Sequence, residues 1–194
     1  MTWKTIFNPF QKFSDRTLLL SGVTATVIGS VIGFLRQVSF DGIFDVHNSV
    51  GLSFPDSLLE NLINILIVFS LLFLLGKLIN RKTRAIDILN TSMIYRIPLY
   101  FVALLSNISI INEATNEMLN NAKAGGSQVY SKEAIWLYLF AIVLLPFIVY
   151  CIVLIINGFK TATNAKRWQH FLILTIVLLV GEFISKPILA AIIY

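Results

Sequence analysis

Long apolar runs alternate with short polar breaks along the whole chain, and this alternation dominates the sequence. Each run is long enough to supply the roughly 20 residues that an α-helix needs to cross a bilayer. The pattern predicts five transmembrane helices, near residues 17–36, 58–79, 93–112, 134–157 and 169–193. Residues 1–16 interleave aromatic residues with cations, which is typical of a short segment lying at the membrane interface. We therefore expect an all-α helix bundle that forms a single membrane domain.

The most polar break, about residues 113–133, contains a further helical pattern. Residues 113–124 have helix-forming character, and we expect Gly125 and Gly126 to end that helix. One alternative is that this helix continues the third span beyond the membrane.

Composition supports a membrane protein. The chain has 194 residues, of which 57% are hydrophobic and 13% are charged, whereas a soluble domain carries about 25% charged residues. Nucleic acid is not an expected partner, because the net charge of +5 belongs to no soluble basic domain. The single cysteine, Cys151, excludes an internal disulfide.

The placement of the positive charges predicts the orientation. The N-terminal segment and the breaks at 80–92 and 158–168 are basic, whereas the break at 37–57 has no Lys or Arg. Because cations favour the cytoplasmic side, we expect the N terminus inside and the C terminus outside. The expected cytoplasmic basic face consists of Arg81, Lys82, Arg84, Arg96, Lys166 and Arg167. It would fix topology and contact anionic headgroups, and docking of a cytoplasmic partner is the alternative.

The ionisable pair Glu182 and Lys186 is the main candidate for an intramembrane polar site. The two residues are four apart on one helical face, with Glu first, which favours a pair within the helix. We expect a self-neutralised pair that packs the last helix, and the alternative is a proton or ion site. The pair has three amide candidates as partners on other helices: Asn61, Asn64 and Asn107.

Small residues in the first span predict close helix packing. Gly29 and Gly33 are four residues apart, which lets another backbone approach closely. We expect packing inside the bundle, and dimerisation through this face is the alternative.

No catalytic constellation is visible in the sequence. Asp41, Asp45, His47 and Asp56 share the break at 37–57, but one His with scattered carboxylates is a weak metal signal, so we expect a solvated loop. The chain has two histidines and one cysteine, with no HExxH motif and no phosphate-binding glycine loop. We predict no enzyme activity, no cofactor and no metal.

Three stretches carry a family resemblance: residues 7–10 (FNPF) before the first span, residues 92–99 (SMIYRIPL) entering the third, and residues 157–159 with 163–167 between the last two. With the five-span layout, the chain resembles the Yip (Ypt-interacting protein) family in its bacterial branch. The resemblance implies a non-enzymatic protein of the bacterial cytoplasmic membrane. Eukaryotic relatives bind Rab-type GTPases, but this chain lacks the family's Asp-Leu-x-Gly-Pro signature, so GTPase binding is not expected.

Two functions remain open from the sequence. The first is a scaffold or membrane-organising factor whose partners are the lipid bilayer and another membrane protein or a second copy. The alternative is a small permease, or a permease subunit, with a polar path past Glu182 and Lys186. A permease needs a water-accessible cavity that reaches Glu182, whereas a scaffold needs only a closed, packed interior.

Overall fold

A computed structural model describes residues 3–123 and 132–193 of the chain. Its helices are α1 (Trp3–Phe7), α2 (Asp15–Arg36), α3 (Phe54–Ile79), α4 (Ala85–Ile94), α5 (Ile97–Leu105), α6 (Ser109–Lys123), α7 (Lys132–Thr163) and α8 (Trp168–Ile192). A 3-10 turn occupies Pro9–Gln11. Two short strands, β1 (Val38–Ser39) and β2 (His47–Asn48), pair antiparallel between α2 and α3.

Five segments of the described chain are long and apolar enough to cross a membrane: Asp15–Arg36, Phe54–Ile79, Ala85–Leu105, Ile135–Thr163 and Trp168–Ile192. The expected all-α membrane helix bundle is thereby confirmed. The second span starts at Phe54 rather than near residue 58, because Ser53 and Asp56 form a reciprocal capping box there. The fourth extends past residue 157 to Thr163.

The third span differs most from its predicted position at 93–112. It runs from Ala85 to Leu105 and is broken between α4 and α5, where Pro98 lies in the first turn of α5. Proline has no N–H to donate and its ring crowds the preceding turn, which accounts for the break. A second break after Leu105, with Asn107 at φ 55°, separates α6 from the span. The helix predicted at 113–124 is therefore α6, and Gly125 and Gly126 lie outside the described residues.

The glycine face of α2 packs inside the chain. A Cβ at Gly29 would overlap the Tyr100 ring of α5, and one at Gly33 would lie 2.5 Å from the Ser57 hydroxyl of α3. These contacts support packing within the bundle as the role of both glycines. Around them, α2 packs along α3, α4 and α5, while α7 covers α4 and α5 and α8 covers α3.

The N-terminal segment docks on α7 instead of contacting lipid alone. The Tyr150 hydroxyl donates to the Ile6 carbonyl at 2.9 Å, and the Asn157 amide donates to the Phe7 carbonyl at 2.9 Å. Phe10 packs against the central apolar cluster that includes Tyr95, Leu99 and Phe159. Residues 7–10, 92–99 and 157–159, from the stretches that carry the family resemblance, therefore contribute to or pack against one hydrophobic cluster.

The segment between α2 and α3 is not the solvated loop that its acidic residues predict. Residues 38–48, here called the re-entrant loop, fold back between the helices, and Val38, Phe40 and Ile43 are fully buried. This loop closes one end of the bundle and brings together the residues of the candidate site.

Candidate functional site

Side chains of α3 form hydrogen bonds with the re-entrant loop. The Glu60 carboxylate accepts the Phe40 N–H at 2.8 Å and the Ser39 hydroxyl at 2.6 Å. The Asn64 amide donates to the Phe40 carbonyl at 2.6 Å. Non-helical backbone inside a membrane protein must find such partners, because hydrocarbon offers none. Side chains of α3 thus take the place of water around the loop.

Arg96 donates a hydrogen bond to the carbonyl of Ile43, at the tip of the loop, and is itself fully buried. Its guanidinium donates to Asn61 Oδ1 at 3.1 Å and to the Ile43 carbonyl at 3.4 Å, and it lies 5.8 Å from the centre of the Phe40 ring. The Tyr95 hydroxyl donates to the same Ile43 carbonyl at 3.1 Å. Arg96 and Glu60 therefore both contact residue 40, one at the ring and one at the backbone.

The assignment of Arg96 to the cytoplasmic basic face is wrong. Arg96 lies about 17 Å along the third span from Ala85, at roughly 1.5 Å per residue, and so near the middle of the bundle. The break between α4 and α5 sets Arg96 at the N-cap of α5. Its side chain hydrogen-bonds to the loop and to α3 rather than reaching headgroups.

The rest of the predicted basic face is exposed at one end of the bundle. Arg81, Lys82, Lys166 and Arg167 are exposed, as is Arg84. Arg84 pairs with Asp15 at 3.1 Å and with Asp87 at 2.5 Å, so it joins the start of α4 to the start of α2.

Glu182 and Lys186 do not neutralise each other as expected. Glu182 Oε2 accepts the Phe44 N–H at 2.9 Å, and Lys186 Nζ pairs with Asp45 Oδ2 at 2.5 Å. Both side chains of α8 reach the re-entrant loop, one at a backbone amide and one at a carboxylate. The pair within the helix is therefore replaced by two separate anchors for the loop.

The three predicted amide partners of this pair bond elsewhere. The Asn61 amide donates to Ser30 Oγ at 3.1 Å, and Asn64 donates to the loop. Asn107 donates to the Arg36 carbonyl at 2.8 Å and so ties α2 to the turn after α5. The residues of the predicted site therefore fall into three groups. Asn61 and Asn64 lie on α3, Glu182 and Lys186 of α8 hold the loop, and Asn107 is distant from both.

Glu60 and Tyr95 belong to the site, although the sequence did not predict them there. A signal for Glu60 is present, because an ionisable residue near amides in an otherwise aliphatic span is a functional or structural candidate by default. Tyr95 carries no comparable signal. Its role depends on the depth to which the loop folds back, and no local pattern encodes that depth.

Three side chains of the re-entrant loop form an ionisable cluster. The potential ligand atoms of Asp41, Asp45 and His47 all lie within 4.8 Å of one another. His47 Nδ1 lies 3.1 Å from Asp41 Oδ1, while Asp45 is engaged by the Lys186 ammonium. Such groups can hold a divalent ion, but here Lys186 already pairs with Asp45 and His47 already contacts Asp41. The absence of a metal stays a prediction.

The contact between His47 and Asp41 shifts the pKa values of both residues. The hydrogen bond to Asp41 raises the pKa of His47, although partial burial opposes it. Partial burial raises the pKa of Asp41, but the hydrogen bond from His47 and the charges of His47 and Lys186 outweigh it, so the pKa falls below its ordinary value. The pair therefore favours the charged forms of both residues.

No protein-family model, no curated protein and no solved structure matches this chain. Its class consequently follows from its own architecture. The chain is an integral membrane protein of the all-α class, a helix bundle with five candidate spans among the described residues.

Proposed function

We propose that the protein is a non-enzymatic scaffold of the Yip type that organises partners in the bacterial cytoplasmic membrane. One observation carries the proposal: the re-entrant loop folds back between the helices, and the helices around it hydrogen-bond to the Phe40 N–H, the Phe40 carbonyl and the Ile43 carbonyl. A closed interior of this kind suits a protein that acts through its surface.

The burial of the polar network favours the scaffold over the permease. Glu60, Asn61, Asn64 and Arg96 are all fully buried, and each has hydrogen-bond partners within the bundle. A groove does reach Glu182, but its walls are mainly aliphatic and it opens sideways between α7 and α8. A polar solute would lack partners along those walls.

The family resemblance adds a second, independent support. The stretches 7–10, 92–99 and 157–159 all contribute to or pack against one hydrophobic cluster. The three stretches therefore lie together in the fold and stabilise each other. The exposed cations Arg81, Lys82, Lys166 and Arg167 suit contact with anionic headgroups on the cytoplasmic side.

A flux assay with reconstituted protein tests the choice between the two functions. We expect liposomes containing the protein to pass protons and small solutes no faster than empty liposomes. Crosslinking in native membranes, followed by extraction in a gentle detergent, should capture a membrane protein or a second copy. A flux that Glu182→Gln abolishes without loss of thermal stability would refute the scaffold and favour the permease.

A further inference from the structure

A lateral groove of about 470 Å³ separates α7 from α8. It arises because α8 packs along α3 while α7 packs along α4 and α5, so that the two helices diverge. Phe44, Asp45 and Glu182 close one end of the groove. Its walls are aliphatic except for Thr175, and the aliphatic wall residues are Ile152, Ile156, Leu174, Leu178 and Leu179. This volume lies within the roughly 300–1,000 Å³ of known small-molecule sites.

Glu182 is a carboxylate at the polar end of this groove, and it accepts a hydrogen bond rather than forming an ion pair. Its Oε2 accepts one backbone N–H, from Phe44. Lys186, one turn along α8, is paired with Asp45, although its charge also interacts electrostatically with Glu182. The ion pairs among the side chains that the structure describes do not include Glu182. A carboxylate at this depth is costly unless a positive charge approaches it. Asp45 and Glu182 thus place two carboxylates at this end of the groove against one ammonium, that of Lys186.

The direction of the groove matches the shape of a lipid. Leu178 and Leu174 lie one and two turns from Glu182 toward Trp168, so the apolar walls run from Glu182 toward the predicted cytoplasmic end. Glu182 itself lies about 15 Å from the Ile192 end of α8 at roughly 1.5 Å per residue. A lipid whose headgroup reaches Glu182 would therefore direct its acyl chain along these walls toward the predicted cytoplasmic end.

We propose that the groove between α7 and α8 binds an aminophospholipid of the membrane, with its primary ammonium on Glu182 and one acyl chain along the aliphatic walls. A primary ammonium offers three N–H donors to a carboxylate, as a lysine does. A quaternary ammonium offers no N–H donor, and a glycerol headgroup offers no positive charge. The proposal does not depend on the scaffold function, since lipid binding and flux are measured separately.

Native mass spectrometry of the purified full chain tests the proposal. Phosphatidylethanolamine, phosphatidylcholine and phosphatidylglycerol with identical acyl chains are added, and bound lipid is counted. We expect phosphatidylethanolamine to bind best, and Glu182→Gln to weaken its binding about tenfold or more, because a charge-assisted bond is lost. Glutamine keeps an oxygen for the Phe44 N–H, so the fold should survive. Glu113→Gln, at an exposed position of α6, is the matched control.

A second pair of variants tests the path of the acyl chain. Leu179 lines the groove and Leu172 does not, although both are about half exposed on α8. Leu179→Trp should fill the groove and lower lipid binding, whereas Leu172→Trp should leave it unchanged. Equal binding of all three lipids, or full binding by Glu182→Gln, would overturn the proposal. A dimer that Leu179→Trp dissociates would also overturn it, because a second copy would then occupy the groove.

Discussion

Arg96 joins parts of the chain that are distant in sequence, and it does so where no water is available. Its guanidinium contacts Asn61 of α3, the Ile43 carbonyl of the re-entrant loop and the face of Phe40. A buried guanidinium is stabilised only when several such partners surround it. The same side chain would be inexpensive on the surface, so its burial indicates that the loop depends on it.

Replacing Arg96 tests this dependence. Arg96→Leu removes the donors to Asn61 and Ile43 and leaves their buried oxygens with fewer partners, so we expect the free energy of unfolding to fall by about 3 kcal/mol. Thermal unfolding in detergent measures the loss. The control, Arg81→Leu, changes an exposed residue and should alter stability by less than about 0.5 kcal/mol. Equal effects of the two substitutions would show that Arg96 does not hold the loop.

The pair His47 and Asp41 predicts a small dependence of stability on pH. The pKa of His47 is raised from its ordinary 6.5, so its contribution is full below pH 6.5 and is lost as the pH rises through the raised value. The pKa of Asp41 is lowered from 3.8, so its contribution holds above pH 3.8 and is lost as the pH falls through the lowered value.

Substitution of His47 checks the sign of this effect. Because half of the His47 side chain is exposed and solvent screens the pair, we expect at most about 0.5 kcal/mol. In His47→Gln, the decline in melting temperature above pH 6.5 should become shallower than in the native chain. An unchanged pH profile would mean that the pair contributes nothing to stability.

At the scale of elements, close packing of α2 depends on the absence of side chains. Gly29 faces the Tyr100 ring, which is fixed by an edge-on contact with Phe40 at 5.6 Å between ring centres. An added methyl group would push this ring toward the re-entrant loop. The packing of α2 and the position of the loop are therefore linked through Tyr100.

Gly29→Ala separates packing inside the chain from dimerisation. Alanine favours helix by about 1 kcal/mol, but the overlap with Tyr100 should outweigh this and give a net loss of about 1–2 kcal/mol. Thr24→Ala, at an exposed position of α2, should not destabilise the chain. Unfolding and light scattering measure stability and oligomer size. A changed oligomer size with unchanged stability would assign the glycine face to a second copy.

Element boundaries show what the sequence could predict. Hydropathy was sufficient for the existence of all five spans, since uninterrupted apolar runs have few alternatives in lipid. It failed for α4, because Asn90, Thr91 and Ser92 look like loop residues. They are buried, and they bond to the Asp15, Asp87 and Ile88 carbonyls respectively. Thr91 and Ser92 bond within α4 itself, whereas the partner of Asn90 lies on α2 and is invisible to a local pattern.

The candidate site was only partly predictable for the same reason, because its contacts join distant parts of the chain. The sequence identified Glu182, Lys186, Asn61 and Asn64 as intramembrane polar residues, because such residues are rare and need partners. It paired them wrongly, since it placed the acidic segment at 37–57 in water. That segment supplies partners for Glu182, Lys186 and Asn64 from a non-helical loop. Its fold depends on contacts across the bundle rather than on its own composition.

At the scale of the whole molecule, the two ends of the bundle differ in chemistry. One end gathers the exposed cations, with Arg84 joined to Asp15 and the Asn80 amide donating to the Thr163 carbonyl at 3.1 Å. The other end combines contacts between uncharged amides, such as Asn48 donating to Asn112 at 2.9 Å, with the ion pair between Lys186 and Asp45. The basic end is the one that the positive-inside rule places in the cytoplasm.

Thiol labelling of intact cells tests the closed interior most directly. Cys151 is fully buried, so the native chain should give little background. Val50 is 99% exposed beside the re-entrant loop, whereas Ile43 is fully buried at its tip. A membrane-impermeant maleimide added from outside should label Val50→Cys rapidly and should label Ile43→Cys only after denaturation. Equally fast labelling of Ile43→Cys in the folded protein would reveal a water-filled interior and contradict the closed bundle.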